Sequence, residues 1–356
     1  MAEYLYIEGE RIDSKSLEPF TKKLDQTDNK VLRPTIDFLR EWWSKSDSML
    51  VQTSGSTGRP KQIELSKEAM RRSAIRSNRY FDIKAGMELL LAMDIRYIGA
   101  KMMVIRALLA GAKLSVVPPS SHPLATLTEA PHFLSFVPLQ LHHTLQVPRE
   151  RHLLSQAKSI IIGGGALHPS LEEELLNFPS LSAYATYGMT ETISHIALRK
   201  LNGSDARDRF YPLEGVKLSR SEEGQLIIRD TLLFPDQAAI VTNDLVELYP
   251  DGGFTVEGRA DNIINSGGIK ISPEQVERQL SQELHMSLAC TWVPDSALGQ
   301  RMVLVLEGSS LPPRLTEKID QLLPPYHRPK EIRLLPHLPH NANGKLDRHA
   351  LHQLIC

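Results

Sequence analysis

The chain has 356 residues, which is long for a single hydrophobic core, so we expect two domains. Its 41 lysines and arginines nearly balance 42 aspartates and glutamates, and a formal net charge of −1 gives no electrostatic case for binding nucleic acid or an anionic membrane. No uninterrupted apolar run approaches the length of a membrane span. Two cysteines suit a reducing compartment, and the acidic N-terminus is typical of a hairpin, so we expect a cytoplasmic protein.

Strand and helix patterns alternate over the first three quarters of the chain. Short apolar runs predict strands at 49–52, 87–93, 113–117, 133–137, 159–162 and 183–187. Helix patterns and start signals predict helices at 66–80, at 99–110 and from Pro169, and most of 118–138 reads as loop. This alternation favours an α/β fold with ligand-binding loops at the ends of strands.

From about residue 212 the sequence changes to short strands and turns. Alternating patterns predict antiparallel strands at 225–229, 246–248 and 254–256. Beyond Arg259 we expect a helix from Ser272, strands at 288–293 and 302–306, a helix near 315–323 and an irregular tail. We therefore predict a large N-terminal domain of α/β layers with a small β-subdomain, residues 1–260, and a small mobile α+β C-terminal domain, residues 261–356.

The segment 53–61 combines glycines with hydroxyl side chains directly after a predicted strand. Glycines let the backbone approach an anion closely, and hydroxyl and backbone N–H groups donate to phosphate oxygens. The spacing differs from the nucleoside-triphosphatase P-loop, whose glycines stand further apart. A polar surface turn is the alternative, but the pattern favours a phosphate-binding loop formed by Thr53, Ser54, Gly55, Ser56, Thr57, Gly58 and Lys61.

Two more segments follow predicted strands and suit a nucleotide. The first has no large side chain and could lie against an adenine ring: Gly163, Gly164, Gly165 and Ala166. The second places a hydroxyl and a carboxylate after a glycine turn: Tyr187, Gly188, Met189, Thr190 and Glu191. Thr190 could contact a phosphate, and Glu191 could hold Mg²⁺, which prefers oxygen ligands. Taken singly, the two segments could be a tight turn and a helix start.

Three charged residues stand beside turns in the second half of the chain. Asp244 follows a predicted strand, where its carboxylate could accept hydrogen bonds from both hydroxyls of a ribose. Arg259 and Lys345 each follow a glycine in an exposed loop. A turn aspartate and two solvated charges are the alternative interpretation.

Together, in this order and spacing, these motifs resemble the adenylate-forming superfamily of acyl-CoA ligases, nonribosomal peptide adenylation domains and firefly luciferases. The resemblance covers about residues 49–348. It implies an ATP-dependent acid–thiol ligase. A carboxylate attacks the α-phosphorus of ATP to give acyl-AMP and pyrophosphate, and the thiol of CoA then attacks the activated carbonyl. The implied cofactors are ATP, Mg²⁺ and CoA.

The resemblance also assigns the ATP-binding motifs. The 53–61 loop would hold the β- and γ-phosphates, and residues 163–166 with Tyr187 would frame the adenine. Asp244 would bind the ribose hydroxyls, and Arg259 the ribose or a phosphate.

The chemistry of the first step falls, on this resemblance, to three residues. Thr190 would contact the α-phosphate and Glu191 the Mg²⁺. Lys345 would be the catalytic lysine of adenylation. A fixed ammonium between the incoming carboxylate and the α-phosphate stabilises charge that builds up in the transition state.

The second step would need a movement of the C-terminal domain. Asp261 matches the hinge position of the family, about which the small domain rotates so that Lys345 leaves and another face arrives. Gly267 and Gly268 would line the path of the pantetheine arm, since glycine lets a backbone pass close to a ligand.

Within the superfamily the chain most resembles the o-succinylbenzoate–CoA ligases of menaquinone biosynthesis, through its short length and residues 187–192. Arg106 supports this, because an arginine in an apolar run must reach solvent, form an internal ion pair or bind an anion. The second carboxylate of a dicarboxylate would accept two hydrogen bonds from it. Four other residues are predicted to contact the acid, although His195 could be an ordinary packed histidine: Tyr97, Thr192, Ser194 and His195.

The chain departs from the family pattern in three places. Only 52 residues precede the 53–61 loop, so we expect part of the first subdomain to be reduced and a possible homodimer to lose contacts. Asn243 replaces a usual glycine, and Asn262 replaces a frequent aspartate. Asparagine tolerates a left-handed turn, so Asp244 should keep its direction.

Other functions remain open at this stage. One is an amino-acid adenylation domain, which anchors its substrate amine with an aspartate; Asp94 lies three residues before the matching position at Tyr97. Another is a nucleotide-binding protein without turnover. A third is a ligase for a different aryl or acyl acid. Pyrophosphate exchange with candidate acids separates a binder from an enzyme.

Overall fold

A computed structural model describes residues 3–27, 29–52, 62–235, 238–340 and 345–356 of the chain. It divides into two units. The first comprises residues 1–167, 174–216 and 230–237, and the second comprises residues 168–173, 217–229 and 238–356. Residues 240–259 belong to the second unit, together with the C-terminal segment. The mobile domain that we expect to begin at Asp261 stays a prediction.

The first unit contains most of the helices and strands that the sequence predicts. Its helices are α1 (Leu17–Leu24), α2 (Arg33–Trp42), α3 (Lys67–Tyr80), α4 (Ile98–Ala110), α5 (Pro138–Gln146) and α6 (Pro148–Gln156). A further helix, α7 (Pro169–Leu175), has residues in both units. The strands are β1 (Leu5–Ile7), β2 (Glu10–Ile12), β3 (Ser48–Gln52), β4 (Gln62–Ser66), β5 (Glu88–Leu91), β6 (Lys113–Val116), β7 (Phe133–Phe136), β8 (Ser159–Ile162), β9 (Ser182–Gly188), β10 (His195–Lys200) and β11 (Tyr211–Pro212).

Nine of these strands form one sheet, in the order β11-β10-β9-β8-β7-β5-β6-β1-β2. The centre is parallel, from β6 through β5, β7 and β8 to β9, whereas β2, β10 and β11 run antiparallel to their neighbours. The order reverses at β5, because β6 lies on one side of it and β7 on the other. Ligands of doubly wound sheets bind beyond the carboxyl ends of strands near such a reversal.

Local sequence explains the elements that flank this edge. All four residues of β8 are buried, as expected for a parallel strand covered on both faces. The helix α3 starts as predicted, because the Ser66 hydroxyl accepts from the N–H of Ala69 at 3.4 Å. The helix α4 is apolar apart from Gly99, Lys101 and Arg106, and nine of its residues, including Lys101 and Arg106, are buried. The predicted N-terminal hairpin is confirmed as β1–β2, whereas α1, α2, α5 and α6 were not predicted.

The second unit contains two smaller sheets. The first has the order β12-β13-β14-β15, formed by β12 (Val216–Arg220), β13 (Gln225–Asp230), β14 (Ile240–Leu248) and β15 (Phe254–Arg259). The second is formed by β16 (Ile264–Ser266), β17 (Ile269–Ile271), β18 (Leu288–Asp295), β19 (Gly299–Glu307) and β20 (Glu331–Leu335). Its helices are α8 (Pro273–Leu284), α9 (Leu315–Leu322) and α10 (Arg348–Ile355).

The strand β19 separates two small cores in this unit. Its even-numbered residues 302, 304 and 306 pack with residues of α8 and α9. Its odd-numbered residues 303 and 305 pack with Leu351 and Ile355 of α10. The alternation is that of a strand buried on both faces. The prediction of an irregular tail is wrong, since β20 pairs in parallel with β19 and α10 covers the sheet.

Across the described ranges, no helix combines the length and the apolar character that crossing a bilayer requires.

Candidate active site

Two of the predicted nucleotide motifs lie side by side at the carboxyl ends of β8 and β9. These strands pair in parallel with Ile162 opposite Ala185, and the Thr186 hydroxyl donates to the Ile162 carbonyl at 3.3 Å. The chain therefore leaves β8 at Gly163 next to the last residues of β9. This is the edge of the sheet at which doubly wound proteins bind nucleotides.

The run after β8 has the open surface that the sequence predicts. Gly164, Gly165 and Ala166 are exposed. On the neighbouring strand Tyr187 is partly buried, and its ring centroid lies 6.1 Å from that of Phe210. A flat backbone and an aromatic ring thus occupy the same edge, and adenine binding there stays a prediction.

Thr190 and Glu191 follow in a single 3₁₀ turn, Thr190–Thr192. Thr190 is partly buried and Glu191 is exposed. Among the described residues, no group of three or more His, Cys, Asp or Glu side chains could hold a metal ion. One exposed carboxylate nevertheless fits Mg²⁺, which usually takes one or two protein carboxylates together with oxygens of the substrate phosphates.

The turn then continues through a strained residue. Ile193 has φ +68° and ψ −49°, and the N–H of Ser194 donates to the Thr192 carbonyl at 2.7 Å. This is the rare and strained form of the γ-turn, and it is exceptional for a β-branched residue. Backbone strain of this kind clusters at functional sites.

The hydroxyl of Thr192 holds this turn together. Thr192 is 1 % exposed, its oxygen accepts from the N–H of Met189 at 3.0 Å, and it lies 2.9 Å from the Ser194 carbonyl oxygen. In this structure the Thr192 hydroxyl therefore forms its hydrogen bonds with backbone groups of the turn. Its predicted contact with the acid stays a prediction.

Gly188 is required where β9 enters the turn. A Cβ atom at Gly188 would lie 2.3 Å from the Ser194 carbonyl oxygen and 2.7 Å from the Cα of His195. Both atoms belong to the backbone, so no side-chain rotation could relieve the contact. The glycine thus lets the chain double back closely enough to place Ser194 and His195.

Arg106 is the centre of a buried polar cluster. It lies on α4 and is 1 % exposed. Its Nε donates to the Ser77 hydroxyl of α3 at 2.9 Å, and its Nη2 donates to the Ser194 hydroxyl at 2.7 Å. The His195 ring lies beside the same two hydroxyls, with Nε2 3.4 Å from Ser77 and Nδ1 3.4 Å from Ser194. The sequence prediction included three members of this cluster and missed Ser77.

Among the described residues, no carboxylate pairs with the positive charge of Arg106 in this cluster. Burial lowers the pKa of Arg106 to about 10, so the guanidinium stays charged at neutral pH. Burial, and then the charges of Arg106 and Arg76, hold the pKa of His195 well below its ordinary value, so this ring is neutral. By contrast Arg76, which is also buried, pairs with Asp230 at 2.8 Å. The burial of Arg106 argues against snorkelling, and no ion pair to it occurs among the described residues.

Tyr97 lies at the other end of α4, immediately before its first residue. It is partly exposed, and its carbonyl accepts from the N–H of Lys101 at 3.2 Å. At about 1.5 Å per residue, Tyr97 and Arg106 are about 14 Å apart along the helix axis. Both could contact one acid only from opposite ends of a pocket.

In the second unit, Asp244 and Arg259 face each other on neighbouring strands. They are partners in the register of β14 and β15, and Arg259 Nη1 donates to Asp244 Oδ1 at 3.2 Å. Arg259 also donates to both carboxylate oxygens of Asp261, at 2.9 and 2.7 Å. The hydrogen bonds that the Asp261 carboxylate accepts from Arg259, with its charge and that of Asp244, raise the pKa of Arg259 despite its partial burial.

The structure brings Lys345 to this pair. Burial lowers the pKa of the Lys345 ammonium, the nearby Arg259 lowers it further, and Asp244 opposes both effects. Three residues that the sequence assigned to one nucleotide therefore lie together, although Lys345 is far from the others along the chain.

Gly267 and Gly268 form the two-residue turn between β16 and β17. Their φ angles are +61° and +85°, and the N–H of Gly267 donates to the Leu298 carbonyl at 2.8 Å. Two positive φ angles are those of a type I′ hairpin turn, which favours glycine without any ligand. The predicted path for CoA stays a prediction.

One predicted motif lies outside the described residues. The strands β3 and β4 pair up to Gln52 opposite Gln62. The residues predicted to bind phosphate stand between these strands in the sequence, and the structure does not describe them: Thr53, Ser54, Gly55, Ser56, Thr57, Gly58 and Lys61.

These features define an α/β protein with glycine-containing loops at the carboxyl ends of its parallel strands. The sequence profile of the family described as AMP-binding enzyme matches residues 5–224, which is more than half of the chain. The chain belongs to this family.

Individual relatives extend the match to nearly the whole chain. The 2-succinylbenzoate–CoA ligase of Salmonella typhimurium is 27 % identical over 341 residues, covering 92 % of this chain and 73 % of the relative. A crystal structure of an acyl-CoA synthetase (AMP-forming)/AMP-acid ligase II-like protein from Dyadobacter fermentans is 31 % identical with a TM-score of 0.62, covering 94 % of this chain and 97 % of that one. A variant of Escherichia coli MenE with bound OSB-AMS has a TM-score of 0.73 at 24 % identity, covering 88 % and 70 %, which supports the fold.

Proposed function

We propose that the chain is an ATP-dependent acid–CoA ligase of the AMP-forming type and that its acid is o-succinylbenzoate. The observation that carries the reaction class is the convergence of Lys345 with Asp244 and Arg259. The named activity of the Salmonella relative supports the choice of acid. The enzyme would act in the cytoplasm, with residues 261–356 as its mobile domain.

In the first step, one carboxylate oxygen of the acid attacks the α-phosphorus of ATP. The bond between the α-phosphorus and the oxygen bridging to the β-phosphate breaks, which releases pyrophosphate and leaves acyl-AMP. Lys345 would lie between the two reacting anions and Thr190 would contact the α-phosphate, so that both would stabilise the charge that develops there. Asp244 binds the ribose hydroxyls.

Mg²⁺ would be held by Glu191 and by oxygens of the triphosphate. When bound, it would neutralise phosphate charge and make pyrophosphate a better leaving group. The 53–61 loop would bind the β- and γ-phosphates beside it.

In the second step, the thiolate of CoA attacks the carbonyl carbon of acyl-AMP. The bond from that carbon to the phosphate oxygen breaks, AMP leaves, and a thioester remains. The thiol proton passes to solvent. The Gly267–Gly268 turn would lie along the path of the pantetheine arm.

Arg106 would bind the carboxylate that is not activated. A guanidinium that is 1 % exposed has lost its hydration, and its hydroxyl partners Ser77 and Ser194 carry no charge to balance it. Binding an anion would offset the cost of burying the cation. A dicarboxylate supplies such an anion, whereas an acid with a single carboxylate, such as a neutral amino acid or a fatty acid, does not.

The proposal is tested with the full chain, ATP, Mg²⁺ and CoA. AMP release should depend on both CoA and acid and should be fastest with o-succinylbenzoate, compared with benzoate and with a half-ester in which the carboxylate that is not activated is blocked. Pyrophosphate exchange should occur with the same acid when CoA is left out. Exchange with none of the acids would contradict the ligase assignment, and faster turnover of the half-ester would contradict the assigned acid.

Lys345→Ala separates the two half-reactions. We expect it to lower acyl-AMP formation by about 3–4 kcal/mol of transition-state stabilisation, by analogy with the loss of one oxyanion donor. Thioester formation from supplied acyl-AMP should be nearly unchanged. Equal loss of both half-reactions would contradict the role of Lys345.

A further inference from the structure

The first turns of α8 are attached to β15 mainly through one residue, Glu257. Gln275 Nε2 donates to Glu257 Oε2 at 2.8 Å, and the Ser272 hydroxyl donates to the Glu257 backbone carbonyl at 2.8 Å. Arg278 pairs with the Glu257 carboxylate at 3.7 Å and donates to the Val256 carbonyl. Three residues of one helix end thus contact two consecutive residues of one strand.

This attachment crosses the predicted hinge. Glu257 precedes Asp261, whereas α8 and everything that it carries follow it. Gly258 shows how close the contact is, since a Cβ atom there would lie 2.3 Å from the Ser272 hydroxyl oxygen. The hydroxyl could move away only by giving up its bonds to Glu257 and to the N-terminus of α8.

The same helix holds the segment that contains Lys345. Glu277 of α8 accepts two hydrogen bonds from Arg348, at 2.9 and 2.7 Å, and Glu274 lies 3.4 Å from the same guanidinium. Arg348 is the first residue of α10 and stands three residues after Lys345. Burial lowers the pKa of Arg348, but the Glu277 carboxylate outweighs that effect and raises it, so the guanidinium remains charged.

The two attachments together fix where Lys345 lies. Arg348 ties the Lys345 segment to α8, and Glu257 ties α8 to the strand that carries Arg259. Lys345 then lies close enough to Arg259 and Asp244 that both shift its pKa. An orientation in which α8 left β15 would carry Lys345 away from Asp244.

We propose that Glu257 is a positioning residue for the adenylation step: by binding Gln275 and Arg278 it holds the segment after the hinge in the orientation that places Lys345 beside Asp244 and Arg259. This inference rests on the proposed function, because that function assigns the observed orientation to the adenylation step. Thioester formation does not use Lys345, so the Glu257 contacts are not needed for that step and must open if the domain rotates.

The kinetic test compares Glu257→Ala with the wild type in both half-reactions. Adenylation, measured by pyrophosphate exchange, should slow by about tenfold or more with the KM for ATP nearly unchanged, because a charged hydrogen-bond network is lost and no nucleotide contact is removed. Thioester formation from supplied acyl-AMP should be unchanged or faster. Glu257→Gln, which can still accept from Gln275, should recover part of the adenylation rate.

Matched variants separate this role from general stability. Glu247 is an exposed glutamate on the neighbouring strand β14, opposite Thr255, and Glu247→Ala should leave both half-reactions unchanged. Gln275→Ala should reproduce the effect of Glu257→Ala, and the double variant should be little worse than either single variant. Similar loss in both half-reactions of Glu257→Ala, or wild-type adenylation, would overturn the proposal.

A distance measurement tests the structural role of Glu257 independently of which acid is the substrate. Spin labels at Val241→Cys on β14 and Leu354→Cys on α10, both 60 % exposed in the native chain, report the distance across the hinge. The exposed Cys356 is replaced by serine, and Cys290 is buried. Glu257→Ala should broaden the distance distribution of the ligand-free protein, and Glu247→Ala should not. An unchanged distribution would overturn the proposal, whereas a broadened one without any adenylation would support the contact and count against the proposed function.

Discussion

At the scale of single residues, Arg106 is the side chain with the most specific consequence for the substrate. Arg106→Leu should weaken binding of a dicarboxylate acid by about 1.5–3 kcal/mol, the contribution of a hydrogen bond to a charged group. ATP binding should be unchanged, because the hydrogen-bond partners of Arg106 among the described residues are Ser77 and Ser194, which lie outside the nucleotide motifs. Calorimetric titration of the acid and of ATP measures both effects.

The half-ester of the acid gives the control for Arg106. Its blocked carboxylate cannot pair with a guanidinium, so wild type and Arg106→Leu should bind it equally. Arg106→Lys keeps the charge but not the two-pronged geometry, and should fall between wild type and the leucine variant. A loss of ATP affinity with unchanged acid affinity would show that the pocket has been assigned wrongly.

His195 links the same cluster to the pH dependence of stability. Burial and two neighbouring guanidinium groups depress its pKa in the folded chain, whereas in the unfolded chain it titrates near its ordinary value of about 6.5. Below that pH the unfolded state binds a proton that the folded state does not. As the pH drops below that value, the contribution of His195 to the free energy of unfolding therefore falls by up to about 1.4 kcal/mol for each pH unit.

The variant His195→Gln removes this titration and keeps a polar side chain. In urea unfolding at pH 7.5 and 5.5, the wild type should lose more stability on acidification than the variant does. Identical losses would mean that the ring is protonated in the folded chain or titrates equally in both states.

At the scale of elements, the turn between β9 and β10 depends on Gly188. Gly188→Ala should displace the Ser194 and His195 backbone, destabilise the fold by about 1–3 kcal/mol and lower adenylation. Gly252→Ala is the control: its φ of +82° costs about 1–2 kcal/mol, but no atom lies within 4 Å of the new Cβ. Equal loss of kcat/KM in the two variants would show that stability alone, and not the turn, lowers activity.

The sequence predicted the elements whose signals are local and missed those that depend on distant partners. The helix at 66–80 has its own N-cap and the strand at 159–162 has a continuous apolar run, and both were predicted closely. All five residues of β20 are only partly buried, and the strand forms because β19 lies beside it. The helix α10 had an overlooked local signal, since Asp347 caps it by accepting from the N–H of Ala350 at 2.9 Å.

The candidate site shows the same division. Glycine and hydroxyl patterns located the loops after β8 and β9, because such patterns stand next to strand ends in the sequence. Ser77 was missed, because a serine within a helix carries no sign that its hydroxyl meets a buried guanidinium from another helix. The strain at Ile193 was also unpredictable, since isoleucine does not favour that conformation and it is held by contacts within the folded turn, such as those of the Thr192 hydroxyl.

At the scale of the whole molecule, the order of the motifs predicted convergence that no single segment could show. Asp244, Arg259 and Lys345 have weak individual signals, yet they lie together in the second unit. The order of the motifs predicted this convergence because proteins that share a topology keep their loops in the same order along the chain. The division of the chain into two units was harder to predict from the sequence, since it depends on packing among elements that are far apart along the chain.

The last prediction concerns the hinge at Asp261, which lies in the 3₁₀ turn Ala260–Asn262. Asp261→Pro fixes one backbone torsion and pushes Ala260 out of its helical conformation towards an extended one. The observed orientation, with Lys345 beside Asp244, should become less accessible, so adenylation should fall far more than thioester formation from supplied acyl-AMP. Asp261→Ala removes the same carboxylate contacts to Arg259 but leaves the torsion free, and should impair the two half-reactions more evenly. Comparable losses of both steps in the proline variant would mean that rotation at this residue does not separate the two half-reactions.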